Sequence, residues 1–336
     1  MKTKEKVLII GAGSWGTTLG VILAGKGVSV ELHSVFNEHN QQMQRLRENK
    51  LFLKGVKFPH LLRVNPSLKK ALDNEIVIIA IPVKFISGVL KNIKKQKVSL
   101  KGKIFVSVSK GIEAKSLKRV SQLIEEKLGV SGVAVLSGPN IAKEVLEKIP
   151  SASTLACKKR SVGRRLQLLF NTPSFRVYLH KDVVGVELGG ALKNIIALSC
   201  GISDGLGLGT NTKAALVTRG LAEITRLGEK LGANASTFWG ISGLGDLVTT
   251  CFSPYSRNRL VGEAIGKGRK INEIIKKMKM VAEGVETVKS AFRLSKKINI
   301  DMPITREVYA VLYQSKSPKA AVTDLMSRPL KVEKIN

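Results

Sequence analysis

The chain has 336 residues, which is enough for one large domain or, more readily, for two. Its hydrophobic content of 43% and charged fraction of 24% are typical of a water-soluble globular protein, and no apolar run approaches the ~20 residues of a membrane span. The formal net charge of +31 suggests that the protein could bind nucleic acid. However, the lysines are spread along the whole chain, without an aromatic RNA-binding signature or a zinc-finger pattern. We therefore interpret the charge as that of a solvated surface and expect no nucleic-acid partner.

The start of the chain and its cysteines indicate the compartment. "MKTKEKVLII" resembles the basic region of a signal peptide, but the apolar run breaks at once into "GAGSWG" without a cleavage site, and we reject that interpretation. Cys157, Cys200 and Cys251 lie far apart and form neither a metal spacing nor an even disulfide set. We therefore expect a cytoplasmic location and no metal.

The first half of the chain alternates short apolar runs with amphipathic segments. The helical segments include 16–26 and 115–128. This alternation predicts a parallel, doubly wound sheet of the Rossmann type. The expected strands are 7–10, 28–32, 76–81, 104–109 and 133–137, extended by 153–157 and 175–180.

A glycine-rich turn follows the first strand. Gly11, Gly13 and Gly16 have the spacing G-x-G-x-x-G, between a predicted strand and a predicted helix, which is the context of a dinucleotide site. We expect Gly11 to make the tight turn, Gly13 to admit a pyrophosphate to the helix N-terminus, and Gly16 to let helix and strand pack closely.

The end of the second strand bears on the choice between NAD and NADP. A carboxylate there binds the ribose hydroxyls of NAD, and an arginine favours the 2′-phosphate of NADP. The chain has Ser34, Val35 and Phe36 at this point, and neither group is present. The missing carboxylate slightly favours NADP, and the preference stays open.

The texture changes near residues 181–185. Strand-like runs end, and helical patterns follow at 183–200, 212–231, 256–266, 271–279, 283–297 and 304–314. We predict a dinucleotide-binding domain over 1–183 and an all-helical domain over 184–336, which carries the substrate and catalytic residues.

Lys193 stands in the middle of an apolar helix. Its neighbours on the same helix face, Gly189, Gly190, Ile196 and Ala197, carry no charge, and the two glycines leave a hollow against which a ligand can lie. Desolvation lowers the pKa of such a lysine and suits it to proton exchange near neutral pH. The alternative is a lysine that reaches out from a helix edge.

Other polar residues accompany Lys193. Asp246 follows a glycine-rich bend among apolar residues and can charge-couple with a lysine. Ser256 is a good N-cap that puts Arg257 and Asn258 in the first turn of a helix, where an anion site can form. Lys110, just past a predicted strand end, can hold a substrate.

Taken in order along the chain, these motifs resemble those of the bacterial NAD(P)-dependent glycerol-3-phosphate dehydrogenases, over essentially the whole length. The matching segments are "GAGSWGT", "VSKGIE", "SGPNIAKE", "FRVY", "ELGGALKNI", "SDGLGLGTNTKAAL", "TRGLAE", "GLGDLVTTC", "SRNR" and "AEGVET".

The resemblance implies roles for particular residues. Lys193 would accept the proton when sn-glycerol 3-phosphate is oxidised, Asp246 would support it, and Lys110 would contact the substrate. The remaining substrate residues would be Gly138, Asn140, Ser256, Arg257 and Asn258. The residues along the cofactor would be Gly11, Gly13, Ser14, Trp15, Gly16, Val35, Lys110, Ala142, Arg257, Val281 and Glu283.

The resemblance also implies a cofactor, a direction and an assembly. The cofactor would be NAD or NADP, the cellular reaction would reduce dihydroxyacetone phosphate for phospholipid synthesis, and the protein would form a homodimer. Members of the family often have a basic residue where this chain has Val35, and threonine where it has Asn140. Two alternatives stay open, another hydroxyacid dehydrogenase of the same architecture and a nucleotide-sensing or nucleic-acid-binding protein that keeps the fold.

Overall fold

The protein divides into two compact units, seen in a computed structural model that describes residues 5–278, 282–330 and 332–333. The first unit contains the chain up to Ser109 together with Val120–Leu136 and Asn140–Val183. The second contains Lys110–Arg119, Ser137–Pro139 and the chain from Val184 onward. The division therefore differs from a single cut after residue 183, because two short segments that follow strands belong to the second unit.

The first unit is built on one eight-stranded sheet. Its strands are Lys6–Ile10 (β1), Ser29–His33 (β2), Leu62–Val64 (β3), Ile76–Ile79 (β4), Ile104–Ser107 (β5), Ala134–Ser137 (β6), Ser151–Ala156 (β7) and Phe175–His180 (β8). Their spatial order is β3-β2-β1-β4-β5-β6-β7-β8. β1 pairs in parallel with both β2 and β4, so the strand order reverses at β1 and opens a ligand crevice at the carboxyl ends of these strands.

The central strands are apolar along their whole length because both faces of the sheet are covered. On β1, Val7 and Ile9 pack into one hydrophobic core while Leu8 and Ile10 pack into another. The helices of this unit are Ser14–Gly25 (α1), Asn37–Leu46 (α2), Leu68–Ala71 (α3), Val83–Lys95 (α4), Val120–Leu128 (α5), Ala142–Leu146 (α6) and Arg160–Phe170 (α7). The predicted doubly wound α/β fold is confirmed.

The second unit is helical, as predicted: from Val184 on, the described residues form no strand. Its helices are Val183–Gly205 (α8), Thr210–Lys230 (α9), Asp246–Phe252 (α10), Arg257–Gly266 (α11), Ile271–Lys277 (α12), Glu283–Lys297 (α13), Pro303–Tyr313 (α14) and Pro318–Met326 (α15), with a 3₁₀ helix at Ala235–Trp239 and a π-helical turn at Ile241–Gly245.

α8 is the core helix of this second unit. In the described part of the chain it is the one helix long and apolar enough to cross a membrane, although the sequence suggested no such run. Almost all of its apolar stretch is buried inside the protein, which is the property of a core helix.

Glycines bring α11 onto α8 at very short range. A Cβ atom on Gly201 of α8 would lie 2.0 Å from the carbonyl oxygen of Arg259, and one on Gly262 of α11 would lie 2.1 Å from that of Leu198. Gly205 and Gly266 extend the same contact one turn further along each helix. The two backbones therefore touch without intervening side chains, and this contact fixes where α11 begins relative to Lys193.

Several elements differ from the sequence predictions, among them α10 at Asp246–Phe252, for which the sequence suggested no helix. β3 is a strand of three residues that the sequence did not suggest. α5 begins at Val120 and not at 115, because an isolated bridge between Ile112 and Arg119 holds the preceding residues in a loop. α15 lies beyond the last helix that the apolar periodicity indicated.

Candidate active site

Lys193 lies on α8 and is only 6% exposed. Its own helix provides no charged partner, as expected, but α10 does. The Nζ of Lys193 forms an ion pair with Oδ1 of Asp246 and donates a hydrogen bond of 2.6 Å to Oγ1 of Thr250. The predicted charge coupling between Asp246 and a lysine is confirmed.

A second lysine shares the same carboxylate. Oδ2 of Asp246 lies 2.6 Å from the Nζ of Lys110, which also donates 2.9 Å to the carbonyl oxygen of Gly138. The side chain of Asp246 is 1% exposed and that of Lys110 is 19% exposed. One buried carboxylate thus holds two ammonium groups and leaves one excess positive charge, which suits an anionic substrate.

The environment of Lys193 lowers the pKa of its ammonium from the ordinary 10.5 to about 8. Burial is the main cause because it penalises the charged form, and the like charge of Lys110 acts in the same direction. The carboxylate of Asp246 opposes both and keeps the pKa from falling further. Such a lysine can both accept and release a proton near neutral pH.

The hollow predicted beside Gly189 and Gly190 is wrong. A Cβ on Gly189 would lie 2.7 Å from the carbonyl oxygen of Ser242, and one on Gly190 would lie 2.3 Å from Oγ of Ser137. The space over these glycines is filled by the turn that leads into α10 and by Ser137, which belongs to the second unit. The glycines therefore serve close packing, which brings Asp246 and Gly138 within reach of the lysines.

A buried ion pair fastens the segment that carries Lys110. The guanidinium Nη1 of Arg119 donates to Oε2 of Glu187 at 2.7 Å, and the two side chains are 15% and 1% exposed. Glu187 lies on α8, fewer than two turns before Lys193. The segment Lys110–Arg119 is in this way attached to the helix that carries the other lysine.

Asparagines link the start of α11 to Lys193. Nδ2 of Asn258 donates 2.9 Å to Oδ1 of Asn194, the residue after Lys193, and its Oδ1 accepts from the backbone N–H of Gly284 at 3.0 Å. The predicted cap is confirmed, because Oγ of Ser256 accepts from the N–H of Arg259. Arg257 follows in the first turn and is exposed.

Two residues of this cluster were missed from the sequence. Thr250 lies four positions after Asp246 on the same helix, a spacing that places both on one face. Asn194 is adjacent to Lys193, and its partner Asn258 is 64 residues away. The helical spacing offered a signal for Thr250, whereas no local pattern pairs Asn194 with Asn258.

The glycine-rich turn of the first unit has the geometry of a dinucleotide site. Gly11 has φ +118°, and a Cβ there would lie 2.2 Å from the carbonyl oxygen of Ala80. A Cβ on Gly16 would lie 2.0 Å from the carbonyl oxygen of Gly11, whereas one on Gly13 would meet nothing within 4 Å. Gly13 is also the N-cap of α1 and provides no side-chain cap. The open N-terminus of α1 therefore fits a pyrophosphate, and the tight contacts on either side fit the expected glycine roles.

Other predicted residues of the first unit lie around this turn or in separate elements. Oγ of Ser14 donates to the carbonyl oxygen of Phe52, and the ring of Trp15 packs edge-on against Phe175 with 6.1 Å between centroids. Val35 follows β2 and is exposed, and Ala142 is the first residue of α6.

Asn140 also belongs to the first unit, and its amide is already occupied. Its Nδ2 donates to the carbonyl oxygen of Ala152 at 3.2 Å, and its Oδ1 accepts from Oγ of Ser153 at 2.6 Å. These contacts attach the residue to β7. In the second unit Glu283 is the first residue of α13, and Val281 lies outside the described residues. Within the described parts of the chain, no three His, Cys, Asp or Glu side chains are grouped as metal ligands.

The doubly wound sheet with its glycine-rich turn, together with a buried lysine–carboxylate cluster, defines the class of nicotinamide-dependent dehydrogenases. Comparison with protein families gives the same result. Residues 6–163 match the model of the NAD-dependent glycerol-3-phosphate dehydrogenase N-terminus, and residues 182–323 match that of its C-terminus. The chain belongs to the NAD-dependent glycerol-3-phosphate dehydrogenase family.

Individual relatives agree over nearly the full length. A "Glycerol-3-phosphate dehydrogenase [NAD(P)+]" of Citrifermentans bemidjiense is 49% identical over 337 residues, covering 98% of this chain and 99% of the relative. The crystal structure of a glycerol-3-phosphate dehydrogenase from Coxiella burnetii is similar with a TM-score of 0.93 and 36% identity, covering 97% of this chain and 99% of that one. A yeast glycerol-3-phosphate dehydrogenase structure has a TM-score of 0.83 and 30% identity, with 97% and 100% covered.

Proposed function

We propose that this protein is a glycerol-3-phosphate dehydrogenase that catalyses reversible hydride transfer between NAD(P)H and dihydroxyacetone phosphate, giving sn-glycerol 3-phosphate for glycerophospholipid synthesis. The buried Lys193–Asp246–Lys110 cluster is the observation that carries the proposal, because it provides a proton-transfer group and an excess positive charge in one place. Membership of the glycerol-3-phosphate dehydrogenase family supports the assignment of dihydroxyacetone phosphate as the substrate.

The cofactor would be held by the turn Gly11–Gly16 and the N-terminus of α1, with Ser14, Trp15, Val35 and Ala142 of the first unit nearby. Its pyrophosphate suits the uncapped helix end at Gly13. When bound, the nicotinamide supplies the hydride for reduction or accepts it in oxidation. The family resemblance also implies cofactor contacts for Lys110, Arg257, Val281 and Glu283.

Lys193 would move the proton. In the oxidation direction its neutral Nζ takes the proton of the substrate hydroxyl, and in the reduction direction its ammonium returns a proton to the oxygen that becomes the alcohol. Asp246 and Thr250 fix the position of Nζ through the ion pair and the 2.6 Å hydrogen bond. A pKa of about 8 allows Lys193 to serve in both directions near neutral pH.

The anionic substrate would be bound by the groups around this cluster. Lys110 is held by Asp246 and Gly138 and keeps a partly exposed side chain, so its charge can face the substrate. The N-terminus of α11, with Ser256, Arg257 and Asn258, offers N–H groups and a guanidinium to a phosphate. Asn140 completes the proposed set, as the resemblance implies.

The test is the rate of NADH and NADPH oxidation with dihydroxyacetone phosphate, in the wild type and in Lys193→Ala. We expect turnover by the wild type and a loss of about 10²-fold or more in the variant. The variant is expected to fold, because Asp246 retains Lys110 as a partner. Lys143→Ala is the control: Lys143 is an exposed lysine of α6 whose ion pair with Glu147 is solvated, so its loss should leave the rate unchanged.

Two results would contradict the proposal. A wild type that binds cofactor but reduces 2-oxo acids instead of dihydroxyacetone phosphate would be the alternative hydroxyacid dehydrogenase. Full activity in Lys193→Ala would remove the proton-transfer role from this lysine.

The proposal includes a homodimer in the cytoplasm. Val248 and Phe252 on one face of α10 and Leu260 on α11 are each more than 40% exposed, as expected of apolar side chains that a second copy covers. The three cysteines are buried free thiols, which suits a reducing compartment. Light scattering after size exclusion tests the dimer, and Phe252→Glu should shift it toward monomer.

A further inference from the structure

We propose that the turn after β2, residues 33–40, makes this enzyme select NADH over NADPH. The inference rests on the proposed function and names the cofactor of that same site. From the sequence alone the missing carboxylate slightly favoured NADP. The contacts of the turn reverse that preference, because they show what a 2′-phosphate would meet there.

The end of β2 is the place where the two cofactors differ. In a doubly wound sheet the adenosine ribose lies against the end of the second strand, and its 2′-substituent is a hydroxyl in NAD and a phosphate in NADP. β2 lies next to β1, whose carboxyl end carries the glycine turn. The side chains of residues 33–40 are therefore the first that the 2′-substituent meets.

No side chain with a permanent positive charge lies in this turn. Residues 33–40 include no lysine or arginine. His33 is 5% exposed, and its Nδ1 lies 2.8 Å from the carbonyl oxygen of Asn65. Burial lowers the pKa of His33, more than the carbonyl contact restores it, so the ring is neutral at neutral pH. His39 is buried too, with its ring nitrogens at Ser34 Oγ and Asn49 Oδ1.

The turn is also fixed, so it cannot present another group. The side-chain amide of Asn40 forms two hydrogen bonds with the backbone of Ser34. Its Oδ1 accepts from the N–H of Ser34 at 2.8 Å, and its Nδ2 donates to the carbonyl oxygen of Ser34 at 2.7 Å. Oγ of Ser34 accepts from the N–H of Phe36 at 3.2 Å. Every polar group of Ser34 is thus used inside the turn, and Val35 and Phe36 face outward, 47% and 68% exposed.

The charge that is present has the wrong sign for a phosphate. Glu38 lies exposed in the first turn of α2, the helix that follows β2. A 2′-phosphate brings a charge of about −1.5 to −2 at neutral pH, and residues 33–40 offer it the carboxylate of Glu38 and no ammonium or guanidinium group. The N–H groups at the start of α2 provide about half a positive charge, which offsets the charge of Glu38 only in part. A ribose hydroxyl carries no such penalty. Since a charge-assisted contact changes affinity by about 10- to 100-fold, its absence is sufficient for strong discrimination.

The experiment measures binding of NADH and of NADPH to the substrate-free protein by isothermal titration calorimetry, so that it does not depend on turnover. We expect the wild type to bind NADH at least about 10-fold more tightly than NADPH. Val35→Arg should strengthen NADPH binding by a similar factor, so that the preference for NADH over NADPH becomes smaller or is reversed. Glu38→Gln should also reduce the preference for NADH, but by a smaller factor than Val35→Arg does.

The matched control is Ile149→Arg, which adds the same charge at an exposed apolar position of the first unit, 43% exposed, outside this turn. It should leave the ratio of the two dissociation constants unchanged. The proposal is overturned if the wild type binds NADPH as tightly as NADH, or if Val35→Arg and Ile149→Arg have the same effect. Discrimination without reduction of dihydroxyacetone phosphate would refute the proposed function alone, and failure to bind either cofactor would refute both proposals.

Discussion

Two ammonium groups share one buried carboxylate in the second unit, and both neighbours of Lys193 act on its protonation. Lys193 is the member whose pKa falls to about 8. Its neighbours act in opposite directions, since Asp246 raises that pKa and Lys110 lowers it. The pH dependence of the reaction is therefore a direct readout of this cluster.

The first prediction concerns the wild-type pH profile. Lys193 is protonated below about pH 8 and neutral above it. Oxidation of glycerol 3-phosphate requires the neutral form, so its kcat/KM should rise with pH and level off above about 8. Reduction of dihydroxyacetone phosphate requires the protonated form, so its kcat/KM should be level below this value and fall above it. Initial rates in both directions check the prediction, and profiles that bend the same way would contradict it.

The neighbours of Lys193 provide a second prediction with two opposite signs. Asp246→Asn removes the charge that raises the pKa of Lys193, so the midpoint of the oxidation profile should move to lower pH. Lys110→Met removes a charge that lowers it, so the midpoint should move to higher pH. Both variants will be slower, but the midpoint is independent of the absolute rate. Equal shifts in one direction would mean that another group titrates.

The contact between helices α8 and α11 holds the start of α11, with Asn258, next to Lys193 and Asn194 of α8. The third prediction is that Gly201→Ala and Gly262→Ala each lower the free energy of unfolding by about 1–3 kcal/mol or more, because the new methyl group meets a backbone oxygen that cannot move aside. The distances are 2.0 and 2.1 Å. Urea denaturation checks the loss.

The control for this prediction is a glycine in an open position. Gly88 lies within α4 and is exposed, and a Cβ atom added to it would meet nothing within 4 Å. Gly88→Ala should therefore raise the free energy of unfolding by about 0.5–1 kcal/mol, since alanine loses less conformational entropy in a helix. Destabilisation of equal size at all three positions would mean that close packing between α8 and α11 is not the cause.

The sequence predicts the elements with local patterns better than those that depend on distant contacts. The buried strands and the glycine turn follow from local patterns, because an apolar run between breakers and a G-x-G-x-x-G spacing are local signals. The three residues of β3 are too few to show a period. The glycines before Lys193 predicted a ligand hollow, but a sequence does not reveal that Ser242 and Ser137 fill it.

The polar pairs of the site depend on contacts far apart in the chain. Asp246 is 53 residues from Lys193 and 136 from Lys110. Its charge and its apolar neighbours along the chain made Asp246 a candidate partner for a lysine, but only the fold decides that one carboxylate serves two lysines. The uncharged end of β2 was visible in the sequence, whereas the neutral state of His33 depends on burial and on Asn65.

The net charge of +31 gives the protein a positive electrostatic field, through which the substrate diffuses to the active site. Dihydroxyacetone phosphate is an anion, and a positive field raises its local concentration and its rate of association. The effect is long-ranged, so it depends on the Debye length, which is about 30 Å at 0.01 M salt and about 8 Å at 0.15 M. The buried Lys193–Asp246 pair is screened much less than the surface lysines.

The fourth prediction follows from that difference in screening. Raising the salt concentration over this range should lower kcat/KM for dihydroxyacetone phosphate, through KM more than kcat, because the surface field weakens while the proton-transfer cluster is preserved. Dihydroxyacetone, which lacks the phosphate, is the matched control substrate, and its kcat/KM should change little. A fall of equal size for both substrates would mean that salt acts on the fold or on the cofactor. If neither changes, the lysines of the surface have no part in substrate capture, and their charge has to be explained by something other than this reaction.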